Sequence, residues 1–267
     1  MLHQIKSLKG CRLHCLDGEI GSVEDFYFDD HHWTIRYLVA NSGGWLTGRQ
    51  VLVSPYAIAS VNTGAGFVKI DLTKKQIEGS PSLDDDKPVS RQYEEAASSY
   101  YGWPLYWNGP HLWGPNAFLE RDRKKWLHAI QVAKGWDPQL RSAKVVTGYA
   151  IQALDGEVGQ VADFLVDAES WAIQYLIVQT RHWGVAAAVM VSPQWINHVS
   201  WKDSRVFVNV TSDIIKHSPP YSESTVLNRE YELRLHDHFK QPEFLAKHDH
   251  DGQVIAHPVP GGHRHES

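Results

Sequence analysis

What most limits the architectures open to this chain is that it contains the same stretch twice. Residues from Gly10 onward match residues from Gly148 onward at one constant offset and without a gap. The first copy reads LDGEIGSVEDFYFDDHHWTIRYLV from Leu16 to Val39, and the second reads LDGEVGQVADFLVDAESWAIQYLI from Leu154 to Ile177. Farther along, VLVSPYAIASV from Val51 to Val61 falls on VMVSPQWINHV from Val189 to Val199, and Ser80-Pro81 falls on Ser218-Pro219. Arg91, Tyr93 and Glu94 then fall on Arg229, Tyr231 and Glu232. A self-match this long means two copies of one structural unit. The expected order is a first unit at residues 1–82, a linker at 83–145, a second unit at 146–220 and a C-terminal extension at 221–267.

Within each copy the pattern is that of short strands broken by turns. Asp17-Gly18 and Asp155-Gly156 lie between apolar runs, the signature of an Asp-Gly hairpin. The run from Trp33 to Ala40 alternates, with Trp33, Ile35, Tyr37 and Val39 on one face and Thr34, Arg36, Leu38 and Ala40 on the other. That period of two predicts a half-buried strand, and Trp171, Ile173, Tyr175 and Ile177 keep the same phase in the second copy. Val51 to Ser54 and Phe67 to Leu72 read as further strands; Thr73 to Glu78 and Thr211 to Lys216 read as single helical turns with Thr as N-cap. Five or six strands in so short a span leave a core satisfied only by closure, so the predicted fold is mainly β: two tandem small antiparallel β-barrels. The linker is expected to be aromatic-rich and partly helical, with one amphipathic helix from Phe118 to Ala133.

The motifs that carry a resemblance are the LDGE-[IV]-G hairpin, the D-x-x-x-W-x-I-x-Y-L strand and the V-x-V-SP close, each present twice. Together they resemble the PRC-barrel domain, the family of the cytoplasmic barrel of the photosynthetic reaction-centre H subunit. The resemblance covers about Lys9 to Ser80 and Val146 to Ser218, and the segment YYGWP-x-YW is similar to one in bacterial tandem PRC-barrel proteins. It implies a non-enzymatic docking or assembly module with protein partners; no cofactor is expected, and a homo-oligomer is expected from the aromatic segment Tyr100 to Trp113. It also implies two alternatives: a peripheral component or regulator of a membrane photosynthetic or electron-transfer complex, and an RNA-linked assembly factor, since a related barrel occurs in a ribosome maturation factor.

Composition narrows these options. Lys plus Arg number 26 against 31 Asp plus Glu, a net charge of -5, which disfavours a whole-molecule grip on nucleic-acid phosphates. No run approaches the apolar length of a bilayer span, so membrane contact, if any, is expected to be peripheral. The two cysteines, Cys11 and Cys15, supply no disulfide framework, and a cytoplasmic setting is expected.

Candidate site residues fall in three groups. Asp17, Gly18, Glu19 and their matches Asp155, Gly156, Glu157 place paired carboxylates on a tight turn, where a metal or acid/base role competes with plain turn formation. Turn formation explains both copies without a ligand. Tyr100, Tyr101, Trp103, Tyr106, Trp107 and Trp113 are too many rings for open exposure, so an interface between the barrels or between chains is expected. His248, His250, His263 and His265 lie in a Gly-containing tail, where only weak metal binding is expected. Asp25 and Asp163 are expected to accept hydrogen bonds inside their own barrels, Trp33 and Trp171 to fill a core or an interbarrel contact, and Ser54 and Ser192 to mark strand ends before proline.

Overall fold

The computed structural model of the chain describes residues 1–41, 49–81, 83, 89–109, 111–114, 116–122, 139–182, 185–225 and 227–239. In chain order the first half holds β1 (Leu2–Gln4), α1 (Ile5–Leu8), β2 (Arg12–Cys15), β3 (Gly18–Asp29), β4 (Thr34–Asn41), β5 (Gln50–Val53), β6 (Ile58–Asn62), β7 (Phe67–Ile70), α2 (Lys74–Glu78) and α3 (Arg91–Tyr101). The second half holds β8 (Leu140–Ser142), α4 (Ala143–Val146), β9 (Ala150–Ala153), β10 (Gly156–Asp167), β11 (Ile173–His182), β12 (Val185–Val191), β13 (Ile196–Ser200), β14 (Arg205–Val208), α5 (Ser212–Lys216), β15 (Pro220–Tyr221) and α6 (Arg229–His238). The fold is mainly β, and the two sheets share one strand order, β5-β4-β3-β2-β7-β6 in the first and β12-β11-β10-β9-β14-β13 in the second.

One pairing in each sheet departs from the all-antiparallel expectation: β2 runs parallel to β7, and β9 parallel to β14. The cause is the Ser-Pro corner. Pro55–Ala57 and Pro193–Trp195 form 3-10 turns that bend the chain without reversing it, so β5 and β6 run the same way and β7 returns parallel to β2. Ser54 and Ser192 cap these turns, each hydroxyl oxygen accepting from the amide two residues on, Tyr56 or Gln194. A proline at such a corner removes no ladder hydrogen bond.

The hairpin turn also sits one residue earlier than the Asp-Gly pattern suggests. Cys15 pairs with Gly18 and Ala153 with Gly156, so the loop residues are Leu16-Asp17 and Leu154-Asp155. The glycines open the next strand instead, at φ 129° and 149°, a region that side chains with a Cβ rarely enter. The Thr73 cap is present as a reciprocal box with Gln76, whereas Thr211 makes no side-chain cap bond to α5.

The strand β4 is buried from Thr34 to Ala40, not on one face only. Its inner face meets the barrel core; its outer face is covered by the other half of the molecule and by α3 with the segment that follows it. The amphipathic helix expected from Phe118 is not seen in its described part, Phe118 to Asp122, and residues 123–138 lie outside the described residues. Two longer helices, α3 and α6, stand at matched positions, capped by Ser90 and Asn228. Tyr93 Oη donates to the Pro81 carbonyl and Tyr231 Oη to that of Pro219, which docks each helix on its own half.

Candidate functional site

The two halves are joined by exchange. The opening strand β1 does not join the first sheet; it pairs with β10 of the second, Leu2 opposite Asp167 and Gln4 opposite Leu165. Reciprocally, β8 pairs with β3 of the first sheet, Tyr27 opposite Ser142 and Asp29 opposite Leu140. Each unit therefore gives its leading strand and short helix to the other.

This corrects the expectation for Asp25 and Asp163, which face the partner half rather than their own barrel. Asp163 Oδ1 accepts from the Lys6 amide at 3.1 Å, at the start of α1. Asp25 Oδ1 accepts from the Lys144 amide at 3.0 Å, at the start of α4, and Oδ2 accepts from the Ser142 hydroxyl. A carboxylate at a helix start satisfies amides that have no partner within the helix. Burial pushes the Asp163 carboxyl up, against the hydrogen bonds from Phe164 and Lys6.

At the centre of the seam the half-molecules meet strand end to strand end. Ile35 N donates to Trp171 O at 2.8 Å and Ile173 N to Trp33 O at 2.7 Å, and Thr34 bridges Ala172. To make those bonds Trp33 and Trp171 both adopt left-handed backbone, φ 53° and 59°, which costs a bulky residue roughly 1–2 kcal/mol. Both rings are buried, Trp33 on Phe28 at 5.3 Å and Trp171 on Phe26 at 6.3 Å, and the ring burial offsets the strain. Farther out, Arg141 pairs with Asp30 at 2.9 Å and lies 4.0 Å over the Trp201 ring.

The aromatic residues after α3 form a strap over the first barrel. Tyr106, Trp107 and Trp113 are buried; Tyr101 and Trp103 stack at 4.1 Å, half-buried; Tyr100 is exposed and donates from Oη to the Gln76 carbonyl. Beneath them Arg36 is fully buried, its Nε donating to Asp29 Oδ2 at 2.7 Å while its guanidinium lies 4.3 Å from the Tyr106 ring and 4.6 Å from that of Trp113. Such a cation between ring faces replaces lost hydration with quadrupole attraction. The strap reaches the other half too, because Trp113 Nε1 donates to the Ser170 carbonyl at 3.1 Å.

The turn carboxylates have structural partners. Asp17 Oδ1 accepts from the Lys74 amide at 2.8 Å, starting α2, and Asp155 accepts from the Ser212 amide and hydroxyl, starting α5. Those bonds hold the Asp155 carboxyl below its ordinary value. Glu19 pairs with Arg12 and His14, and Glu157 with Arg205. Cys11 and Cys15 are buried, and burial pushes the Cys15 thiol up to about 11. His248, His250, His263 and His265 lie outside the described residues.

The buried Glu94, Asp29 and Arg36, and the exchanged strands, escaped sequence reasoning. A signal for Glu94 exists in the repeat: Arg91, Tyr93 and Glu94 match Arg229, Tyr231 and Glu232 beyond the last strand, so the repeat unit extends through a helix. No helix among the described residues is long and apolar enough to cross a membrane. No curated protein matches the chain. Residues 4–77, from the end of β1 through α2, match the PRC-barrel domain family. The matched residues hold all six strands of the first sheet's main path, β2 to β7, so this part of the chain is similar to a PRC-barrel domain.

Proposed function

We propose that the chain is a non-enzymatic assembly module in which two PRC-type barrels are fixed to each other and present duplicated surfaces to protein partners. The observation that carries this reading is the use of the repeat-matched polar residues. Asp17 and Asp155, Asp25 and Asp163, and Ser54 and Ser192 each accept a hydrogen bond from a backbone amide, which suits a scaffold. Both copies also leave an apolar side chain outward among the turn's carboxylates: Leu16 and Leu154, on the same turn, are 61% and 69% exposed. Each turn is held rigid by the Asp beside it, so each leucine is presented at low entropic cost. Self-association is assigned to the same turns and to Tyr100.

The test is a comparison of the wild-type chain with the double variant Leu16→Asp, Leu154→Asp. Circular dichroism should be unchanged, while light scattering at micromolar concentration should show a wild-type oligomer and a variant monomer, and partners retained by the wild type should be lost. Equal masses and equal retention would remove these turns from the proposal.

A further inference from the structure

We propose that Glu94 is a proton-controlled latch: its neutral carboxyl holds the aromatic strap, residues 102–109 and 111–114, closed on the first barrel, and its ionisation releases the strap and the contact that Trp113 makes with the second half. The geometry is a closed cage around one acid. Glu94 is only 2% exposed, on the first turn of α3. Tyr106, from the strap, donates its hydroxyl to Oε2 at 2.8 Å. Tyr37, from β4, hydrogen-bonds the same carboxyl and also Ser98, one helical turn farther along α3. Tyr37 and Tyr106 pack edge to face at 6.4 Å.

The charges facing this acid do not compensate its burial. Arg91, on α3, comes to 3.7 Å of Oε1, but it is partly exposed and lies 3.9 Å over the Trp107 ring. Arg36, on β4, is committed to Asp29 on β3 at 2.7 Å. Ionised, Glu94 would be a carboxylate held mostly by phenols in a site closed to water, and burying such a charge is costly. Consistent with that, burial pushes the Glu94 carboxyl up to about 7, with the Tyr106 hydrogen bond and the Arg91 charge opposing. The cheapest relief for an ionised Glu94 is to lift Tyr106, which carries the strap.

The sign follows from linkage. An acid whose closed-state value is raised favours closure most at acid pH; closure weakens as pH rises from the ordinary carboxylate range through about 7, then levels off. Raising the carboxyl from its ordinary 4.5 to about 7 ties its ionisation to a change on the order of a hundredfold in the opening equilibrium. The second half is built differently: Glu232 stands at the matched position on α6 but is partly exposed, and α6 ends at His238 with no matching strap in the described residues.

The experiment is hydrogen exchange of the full-length chain from pH 5 to 8.5, corrected for the intrinsic pH dependence of amide exchange, on the wild type and on Glu94→Gln. In the wild type, the hydrogen-bonded strap amides of Asn108, His111 and Trp113 should lose protection by about a hundredfold, with a midpoint near neutrality. In Glu94→Gln the same amides should show no step, and the strands β9 to β11 should show none in either protein. A wild type without the step, or a variant that keeps it, overturns the proposal. Should the variant fail to fold, carbon-13 NMR of the wild-type Glu94 carboxyl decides: a midpoint near neutrality supports the latch, and one in the ordinary carboxylate range refutes it.

Discussion

The two halves share a strand order, a seam and a capping helix, yet they are roofed by different chemistry. In the first, a buried Asp29–Arg36 pair lies under Tyr106 and Trp113, and Glu94 is sealed beside it. In the second, Gln174 stands where Arg36 stood and is partly exposed, Asp167 caps the Ser170 amide, and the roof is Trp195 stacked on Phe239 at 3.9 Å with His236 at its edge. What both copies keep builds the fold: the Leu-Asp turn, the Ser-Pro corner, the exchanged strands. What only one keeps is the buried cation Arg36; Asp29 and Glu94 have matches in Asp167 and Glu232, but those are partly exposed. The symmetric features therefore account for architecture, and the asymmetric ones are where the halves diverged in behaviour.

The sharpest way to break this comparison is to remove the cation from one roof. Arg36→Met strands Asp29 without its ion pair and should cost about 3–5 kcal/mol, whereas Gln174→Met should cost less than about 1 kcal/mol. Urea unfolding followed by tryptophan fluorescence would measure both; equal costs would mean that the roofs are equivalent after all. Next come the seam carboxylates. Asp25→Ala, which loses bonds to both Lys144 and Ser142, should cost about 2–3 kcal/mol, and Asp163→Ala, with one such partner in Lys6, about 1–2 kcal/mol. A reversal of that order would contradict the assigned partners. Gly159→Ala should cost about 1–3 kcal/mol, because an added Cβ would lie 2.9 Å from the Thr180 Cα and closer still to the Gln179 carbonyl oxygen. Smallest of all, Leu16→Asp alone should change stability by no more than about 0.5 kcal/mol, the residue being exposed.

Much of this was legible in the residues. The duplication located both sheets, because matched apolar phases such as Ile35-Tyr37-Val39 and Ile173-Tyr175-Ile177 report which side of a strand is buried. Periodicity could not report the seam. The strands β1 and β8 have three residues each, too short for alternation to be read, and their pairing partners lie more than a hundred residues away. The same blindness explains Asp25 and Asp163: a polar residue at a matched position announces a hydrogen bond but not the chain segment that completes it. The alternation marks β4 as a half-buried strand, because Arg36 reads as a solvent-facing charge unless its cover, Tyr106 and Trp113, is known. Those rings were expected at an interface, and Trp113 does touch the second half through Ser170.

Each half lends its first strand to the other within one chain. Since His3 lies opposite Val166 in the β1–β10 pairing, the double variant His3→Cys, Val166→Cys places two thiols across the seam. Mild oxidation of the dilute protein followed by denaturing, non-reducing electrophoresis reads the outcome. Exchange within one chain predicts a compact monomer band formed in high yield and lost on reduction. A ladder of disulfide-linked dimers with no compact monomer would place the exchange between chains and contradict it.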